Sequence, residues 1–450
     1  MQTINWDAAT DETVRNLVHL VQAETVNPPG NEMPAIQVIK SILDQEGFPE
    51  GDYTILEAAP GRANLVARLR GDGSQRPLLL TGHVDVVPVE RQYWSRDPFG
   101  GEVVDGCVWG RGTVDMKGDV ARYLQTFLLA YRQKLPLKRD LIFAAIADEE
   151  AGFKYGSRFL VEEHRDLIDA EFALNEGGAM TIFLAGVRLY PIQVAEKGVC
   201  WMRATTQGRP GHGSMPHEDN AVLHLAQGLE RLRRAGHLPV HITPPMKRML
   251  DGMASQMRFP LGTLIGLMRS PRLAGFLLPR LPAEARSLFG AMLTNSVSAT
   301  MLQAGTKVNV IPSTAHADLD CRLLPGQTMQ DAMREIRAIT GDKLELEPLI
   351  TSSGASFSMD TPLYRLLEQA TRRMDPQGVV VPMLMPGATD ACEYQKAGIT
   401  VYGFTPGVMP QDFSIAKLAH GHDERLPLSA IRTGLPALWE VVSEFCCASE

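Results

Sequence analysis

Apolar residues follow two different periods along the first part of the chain. Short apolar runs of strand length, such as 76–83 and 139–150, flank a segment at 118–134 in which apolar residues recur at helical spacing. Strands that alternate with helices are typical of a mostly parallel sheet covered by helices. The pattern returns near the end of the chain, where it predicts a helix over 362–373 and a strand over 398–404.

The middle of the chain has a different order of elements. A long exposed strand is predicted over 191–207, where apolar and polar residues alternate, and a helix follows from about Asp219 to Arg234. Together with the later elements, this gives the order β-α-β-β-α-β of a ferredoxin-like unit. The later elements are strands over 296–305, 314–326 and 343–350 and a helix over 328–340.

These patterns predict two domains in an α/β protein. Residues 1–190 and 351–450 form a catalytic domain with a mostly parallel sheet, and residues 191–350 form a smaller α+β domain inserted into it. Residues 241–295 fit neither pattern, since they are rich in Met, Leu, Pro and basic residues. We interpret them as a helical excursion that forms a packing or oligomer surface, with a wall for an apolar substrate group as the alternative. A membrane-surface role is less favoured, because the prolines break any long amphipathic helix.

Composition and charge exclude several classes of protein. The 450 residues are 44% hydrophobic and 21% charged, which is typical of a globular chain with two cores. The formal net charge of -8 lacks the basic footprint of a nucleic-acid-binding protein. No run reaches the roughly 18 apolar residues of a membrane span, and the polar start lacks a secretory signal. The six scattered cysteines include no C-x-x-C pair, so we expect reduced thiols and a cytoplasmic location.

Side chains that bind metal ions follow several of the predicted strands. A single His or Asp there is usually a capping or solvated residue, but the carboxyl ends of parallel strands meet at one edge of a sheet. Carboxylates and imidazoles crowded at that edge would repel and titrate abnormally without cations, so the set predicts two divalent metal ions. Oxygen and nitrogen ligands without a thiolate suit zinc, with cobalt or manganese as alternatives. The candidates are His83, Asp85, Asp115, Asp148, Glu149, Glu150, Glu176, His420 and His422.

Two neighbouring pairs in this set predict a division of roles. Asp85 can accept the free N–H of the His83 imidazole and fix its tautomer, as carboxylates behind a metal ligand do. Glu149 and Glu150 cannot point the same way in an extended segment. One of them can therefore bind metal while the other faces the substrate as a proton shuttle.

A series of short motifs resembles a known family. The motifs are "GHVDVVP", "GRGTVDMKG", "ADEEAG", "NEGG", "GRPGHGSMP", "KVNVIP", "PGATDA" and "HGHDER", in this order between about residues 80 and 425. As a set they resemble the co-catalytic metallopeptidases of family M20, which includes aminoacylase, acetylornithine deacetylase, succinyl-diaminopimelate desuccinylase, glutamate carboxypeptidase and carboxypeptidase S. The resemblance implies a zinc-peptidase-like α/β catalytic domain interrupted by a ferredoxin-like lid and dimerisation domain.

The resemblance also implies a role for each metal-site candidate. It implies Glu149 as the general base and a cis peptide after Asp115. It favours His420 over His422 as a ligand because the family spacing is His, two residues, Asp or Asn, then Glu, and His422 stays open as the alternative. The implied metal ligands are Asp115 as the bridge, His83 and Glu176 at one ion, and Glu150 and His420 at the other.

Residues of the inserted domain are expected to meet the substrate. The resemblance implies that His212 reaches a catalytic centre, often that of the partner subunit, and polarises the scissile carbonyl; a loop His that caps a helix is the alternative. Asn309 and Arg322 match positions that help to bind the substrate carboxylate, with a surface ion pair as the alternative for Arg322. Thr389 is expected to shape the substrate floor. The implied assembly is a homodimer through the lid domain.

The implied activity is metal-dependent hydrolysis of an amide bond. The substrate would be an N-acyl amino acid, or a peptide with an exposed C-terminus, that carries a free carboxylate. The apolar excursion favours a bulky or apolar acyl side. One alternative is a small-acyl deacylase of the acetylornithine deacetylase or succinyl-diaminopimelate desuccinylase type, whose polar substrates leave that excursion unexplained. Another is a non-catalytic binding protein on the same fold, which would be expected to lack the ligands that this chain retains.

Overall fold

The computed structural model describes residues 3–184 and 186–447. The chain divides into two compact units, of which the first is formed by Met1–Val194, Phe357–Val381 and Thr389–Glu450. The second unit is formed by Ala195–Ser356 and Pro382–Ala388. The catalytic and lid roles that the sequence analysis gives to its two domains stay predictions.

The helices lie throughout the chain and differ widely in length. They are α1 (Trp6–Gln22), α2 (Met33–Gln45), α3 (Lys117–Gln133), α4 (Ser157–Glu163), α5 (Arg165–Ile168), α6 (Ala221–Ala235), α7 (Pro244–Gln256), α8 (Leu261–Leu267), α9 (Pro271–Leu277), α10 (Ala283–Leu293), α11 (Met329–Thr340), α12 (Pro362–Met374), α13 (Ala391–Lys396), α14 (Ile415–Leu418) and α15 (Leu428–Cys446). No helix in the described part of the chain combines the length and the apolar character that a bilayer crossing requires.

The strands of the described residues fall into one large sheet and three smaller ones. They are β1 (Tyr53–Ala59), β2 (Arg62–Leu69), β3 (Leu78–His83), β4 (Val103–Val104), β5 (Cys107–Trp109), β6 (Leu141–Ile146), β7 (Phe172–Asn175), β8 (Ile182–Leu184), β9 (Val187–Glu196), β10 (Gly198–Gln207), β11 (Gly211–His212), β12 (Ser296–Ala304), β13 (Val310–Ile311), β14 (Thr314–Leu323), β15 (Glu345–Thr351), β16 (Val379–Met385), β17 (Thr400–Gly403) and β18 (Arg425–Pro427).

The large sheet has a parallel centre. Its strand order is β1-β2-β6-β3-β7-β17-β9-β16, with β8 paired to β9. Strands β6, β3, β7 and β17 run parallel to one another, whereas β1 pairs antiparallel with β2, β2 with β6 and β9 with β17. Every residue of β3 and β6 is buried, as expected for apolar strands covered on both faces. The prediction of an α/β fold with a mainly parallel sheet is confirmed.

The register of the central strands brings their carboxyl ends together. His83 on β3 is paired with Ile146 on β6, and Gly403 on β17 with Asn175 on β7. The acidic residues at 148–150 and Glu176 therefore begin just beyond the same edge of the sheet. Helix α3 packs on β3 and is buried over almost its whole length, which holds the preceding glycine-rich loop against that edge.

The second unit contains a four-stranded antiparallel sheet in the order β12-β14-β10-β15. Helices α6 and α11 pack on this sheet and on each other. Strand β14 buries alternate residues, since only one face of the sheet is covered. The order of these elements along the chain is the predicted β-α-β-β-α-β.

The prediction of one exposed strand over 191–207 is wrong. The segment forms two strands, of which β9 is mostly buried and joins the large sheet while β10 joins the small one. The chain passes from the large sheet to the small one at Lys197, between the end of β9 and the start of β10 at Gly198. The main chain of Ser352 approaches closely there, since a Cβ added at Gly198 would lie 2.2 Å from the Ser352 carbonyl oxygen. Both strands are rich in apolar residues, so their local pattern gives no sign of the break.

Residues 241–295 form the predicted helical excursion, which consists of the four helices α7–α10. Prolines stand at the start of each helix, at Pro244, Pro260, Pro271 and Pro282. Proline is tolerated there because the first N–H groups of a helix have no intrahelical partner. The prolines therefore divide the segment into short helices.

Candidate metal centre

The imidazole of His83 lies at the centre of a cluster of carboxylates. His83 ends β3 and is fully buried. Its Nε2 lies 3.2 Å from Oδ1 of Asp115, 3.9 Å from Oε2 of Glu176 and 4.0 Å from Oε2 of Glu149. Three carboxylates from separate parts of the sequence therefore meet one imidazole in the first unit.

Asp115 connects this imidazole to a second one. Its Oδ2 lies 3.2 Å from Nε2 of His420, and that nitrogen lies 3.1 Å from Oε2 of Glu150. The two oxygens of Asp115 thus face two different imidazoles, which is the arrangement expected of a bridging carboxylate. The Nε2 of His422 lies instead 3.1 Å from Oε2 of Glu90, outside the cluster.

The glycine-rich loop before α3 places Asp115 at this position. The loop approaches the start of α3 so closely that a Cβ on Gly118 would lie 2.2 Å from the Thr113 carbonyl oxygen. Gly112 has a φ of 88°, a conformation that favours glycine. The peptide between Asp115 and Met116 is cis, as the family resemblance implies.

Two overlapping groups of side chains have the spacing of a metal site. His83, Glu149 and Glu176 offer ligand atoms within 4.8 Å of one another, and so do His83, Asp115 and Glu150. The first group contains Glu149, the predicted base, beside Glu176, a predicted ligand. Both carboxylates are almost equally far from His83. Their division into base and ligand therefore stays a prediction.

The ionisation of the cluster supports the presence of cations. Burial raises the pKa of Glu149 well above its ordinary value, and the charge of Glu176 raises it further. Burial also raises the pKa of Glu176. The buried Oε1 of Glu176 has no hydrogen-bond partner among the described residues. Because the donors are carboxylate oxygens and imidazole nitrogens, the cluster fits two divalent metal ions.

Asp85 lies behind the cluster and contacts several of its members. The Nδ1 of His83 lies 2.9 Å from the main-chain oxygen of Asp85 and 3.5 Å from its carboxylate, so the main chain is the nearer acceptor. The carboxylate accepts the main-chain N–H groups of Glu149 and Glu150, each at 3.2 Å, and the Asn27 amide at 2.8 Å. The carboxylate of Asp85 therefore holds the main chain of Glu149 and Glu150, while its main-chain oxygen is the nearer acceptor for His83.

Glu424 is a buried residue of the site to which the sequence analysis gives no role. Its carboxylate accepts the main-chain N–H groups of Val114 at 2.8 Å and Asp115 at 3.2 Å. It also accepts a hydrogen bond of 2.6 Å from Nη1 of Arg111. Burial raises the pKa of Glu424 to about 7. Its place in "HGHDER", four residues after His420, is the only signal in the sequence.

Asp148 is a metal candidate that the structure places outside the cluster. Its Oδ1 accepts hydrogen bonds from Nη2 of Arg62 at 2.8 Å and from the Asn27 amide at 3.0 Å. Arg62 also makes two bonds of 2.8 Å with the buried Glu32. Asp148 is thus part of a buried ionic network beside Asp85, and no local pattern identifies Arg62 or Asn27 as members of it.

The motif "PGATDA" contributes two buried residues to the first unit. Oγ1 of Thr389 accepts the main-chain N–H of Ala391 at 3.2 Å, at the start of α13. Asp390 accepts a hydrogen bond of 2.5 Å from the Ser157 hydroxyl, and burial raises its pKa to about 7. A substrate contact of Thr389 stays a prediction.

The remaining predicted site residues lie in the second unit. His212 on β11 is exposed and pairs with Val310 on β13, and the carbonyl of Asn309 accepts the Gly213 N–H at 2.9 Å. These two candidates therefore lie on neighbouring strands and loops. Arg322 on β14 makes a bidentate ion pair with Asp320, at 2.7 and 3.0 Å. Substrate roles for these residues stay predictions.

A comparison of the sequence with protein families and curated proteins gives consistent matches. Residues 79–444 match the model of peptidase family M20/M25/M40. The chain is 28% identical over 384 residues to the N-fatty-acyl-amino acid synthase/hydrolase of Homo sapiens, covering 82% of this chain and 74% of that protein. It is 29% identical over 386 residues to probable carboxypeptidase S-like 2 of Dictyostelium discoideum, covering 81% and 71%. It is 26% identical over 403 residues to aminoacylase-1 of Sus scrofa, covering 86% and 84%.

Solved structures share the fold at low sequence identity. An M20 family metallo-carboxypeptidase from Sulfolobus solfataricus matches with a TM-score of 0.67 and 16% identity, covering 96% of this chain and 99% of that one. A dinuclear metal-binding M20 peptidase from Bacillus subtilis matches with a TM-score of 0.59 and 14% identity, covering 98% and 99%.

Proposed function

Because the chain belongs to peptidase family M20/M25/M40, we propose that it hydrolyses the amide bond of N-acyl amino acids with a bulky or apolar acyl group. The chain is an enzyme of the amidohydrolase and metallopeptidase type. The observation that carries the proposal is the convergence of two imidazoles and four carboxylates in one cluster, in which the two oxygens of Asp115 face His83 and His420.

Five of these side chains would hold the metal ions. When bound, two divalent ions would lower the pKa of a shared water and polarise the amide carbonyl. We assign zinc as the metal, with cobalt or manganese as alternatives, because the donors are nitrogen and oxygen. The assigned ligands are Asp115 as the bridge, His83 and Glu176 at one ion, and Glu150 and His420 at the other.

Glu149 is the proposed general base. It takes a proton from the attacking water and passes it to the leaving nitrogen. A carboxylate suits this task when its pKa lies near the working pH, and burial and Glu176 raise the pKa of Glu149 in that direction. Asp85 and Glu424 keep the acid pair and Asp115 in place through main-chain N–H groups.

The second unit is the proposed lid. His212 would stabilise the developing oxyanion, and Asn309 and Arg322 would bind the substrate carboxylate, with Thr389 of the first unit at the substrate floor. The exposure of His212 and Asn309 supports an encounter with substrate. Because the Arg322 guanidinium already makes a bidentate ion pair with Asp320, it would have to donate hydrogen bonds to Asp320 and to the substrate carboxylate at the same time.

The acyl side is assigned from the relatives and from the excursion α7–α10. The human relative is named as an N-fatty-acyl-amino acid synthase/hydrolase, and aminoacylase-1 is a further relative. The small-acyl deacylase is less favoured, because its polar substrates would not explain the apolar excursion.

We further propose a cytoplasmic location, since all six cysteines are free thiols.

A second copy of the chain is the proposed partner of β12. This strand is at the edge of its sheet, and residues 298–304 are exposed. Met301 and Leu302 are 65% and 67% exposed. A long apolar edge strand is normally covered, because its free N–H and C=O groups pair readily with another strand. Pairing of β12 with β12 of a second copy would form the homodimer.

A substrate panel tests the proposed function. The purified chain would be incubated with N-dodecanoyl-phenylalanine, N-acetyl-phenylalanine and N-dodecanoyl-phenylalaninamide, and the release of amine would be measured. We expect kcat/KM to be highest for the first compound and release to stop after dialysis against a chelator. Equal rates for N-dodecanoyl-phenylalanine and its amide would show that the enzyme does not recognise the substrate carboxylate. Release of amine that continued after dialysis against the chelator would contradict the metal mechanism.

A further inference from the structure

Helices α8 and α9 carry apolar side chains on their outer as well as their inner faces. Ile265 and Ala274 are buried within the second unit. The outer side chains are those of Leu264 (42% exposed), Leu267 (43%), Leu273 (42%) and Phe276 (58%), and Phe259 (86%) lies just before α8. Exposed apolar side chains grouped on the outer side of two successive helices indicate a partner that covers this face.

The charges of this segment are all positive. Residues 252–283 contain four arginines and no Asp or Glu, in a chain with a formal net charge of -8. Arg269 pairs with Asp251 at 2.9 Å. No carboxylate among the described side chains lies within 4.0 Å of Arg258, Arg272 or Arg280, all of which are exposed. The guanidinium of Arg280 lies 3.6 Å from the Phe276 ring centroid, so a cation and an exposed aromatic share one site.

We propose that residues 258–280, called the α8–α9 surface, dock on an anionic lipid membrane. Phe and Leu side chains would enter the boundary between headgroups and acyl chains, and the exposed Arg258 and Arg272 would bind lipid phosphates. A second copy of this chain fits the surface less well, since its arginines would face one another. Pro260 and Pro271 are compatible with this role, because each stands at the start of a short helix. Two short helices with exposed apolar side chains can insert without forming one long amphipathic helix. The proposal does not rest on the proposed hydrolase activity.

Vesicle binding by the full chain tests the proposal. Sedimentation would be measured with phosphatidylcholine vesicles and with vesicles that also contain phosphatidylglycerol. We expect binding to the anionic vesicles that weakens with added salt. The variant Arg258→Gln/Arg272→Gln should lower the partition coefficient about fivefold for each arginine removed. The variant Phe259→Ser/Phe276→Ser should lower it about tenfold or more.

A matched control uses exposed apolar residues elsewhere in the same unit. Leu349 and Ile350 on β15 are 44% and 52% exposed, and Leu349→Ser/Ile350→Ser should leave vesicle binding unchanged. Thermal midpoints of all variants would show that they fold. Absence of wild-type binding to anionic vesicles, or equal binding by Phe259→Ser/Phe276→Ser, would overturn the proposal. The proposal would also be overturned if light scattering showed that the wild type is an oligomer and that Phe259→Ser/Phe276→Ser alone is a smaller species. A second copy of the chain would then be the partner of this surface.

Discussion

Glu149 and Glu176 lie at nearly the same distance from the His83 imidazole, yet they are assigned different roles. We expect Glu149→Gln to lower kcat by about 10²- to 10⁴-fold and to retain both metal ions, because it removes a proton carrier only. Glu176→Gln should lose one ion. Metal content by mass spectrometry and steady-state kinetics would check both variants, with Glu90→Gln outside the cluster as the control. A Glu149→Gln variant that turned over normally, or that lost an ion, would reverse the assignment.

Glu424 and Arg111 form a buried ion pair on which Asp115 depends. Removal of one partner leaves the other charged and buried, so Glu424→Ala should reduce the free energy of unfolding by about 3–5 kcal/mol. The comparison is Glu102→Gln, which breaks an exposed pair with Arg96 and should cost less than about 1 kcal/mol. Urea denaturation would measure both. A similar decrease in the free energy of unfolding in the two variants would show that the buried pair of Glu424 and Arg111 stabilises the fold no more than an exposed pair does.

Lys197 is a buried amine at the break between β9 and β10. Its Nζ donates to the Ser296 hydroxyl at 3.0 Å, and no carboxylate lies within 4.0 Å among the described residues. Burial, with a contribution from Arg322, lowers the pKa of Lys197 to about 7. Between pH 7 and about 10.5 the unfolded chain therefore binds a proton that the folded chain does not, so stability due to this group rises with pH.

Replacement of Lys197 by an apolar side chain tests this pH dependence. Lys197→Met should be more stable than the wild type at and below pH 7, and the difference should shrink as the pH approaches 10. Thermal midpoints of both proteins between pH 6 and 10 would give the difference directly. A constant difference across this range would show that Lys197 keeps its ordinary pKa.

At the scale of elements, the edge strand β12 makes the dimer testable. A charge placed on an exposed edge blocks strand pairing, so Met301→Lys/Leu302→Lys should convert the proposed dimer into a monomer. Leu349→Lys on β15, at the opposite edge of the same sheet, should leave the dimer intact. Light scattering of the three proteins would measure the molar mass. A wild-type protein that scatters as a monomer at micromolar concentration would rule out the proposed pairing.

Elements with one dominant period were predictable from the sequence. The strand predicted over 76–83 and the helix over 118–134 correspond to β3 and α3, because each pattern reflects burial that is uniform along the element. The segment 191–207 was not predictable, because its two halves are similarly apolar and join different sheets. The break is marked by the close approach of Ser352 to Gly198. Because these two residues are far apart in the sequence, no local pattern reveals the contact.

At the scale of the whole molecule, the predicted ligands were easier to find than the residues that hold them. His83, Glu150 and Glu176 follow strands whose parallel order brings their ends together, so topology alone predicts their proximity. Arg62 and Glu424 act through contacts 86 and 309 residues away in sequence, with Asp148 and Asp115 respectively. No local pattern encodes such contacts.

The metal stoichiometry of the intact chain tests the central claim most directly. Metal-free protein would be titrated with zinc by calorimetry, and hydrolysis of an N-acyl amino acid would be measured at each step. We predict two ions per chain, recovery of activity as the second site fills, and a single ion in His420→Ala. Binding of fewer than two ions by the wild type, or full activity in the metal-free protein, would contradict a two-metal hydrolase.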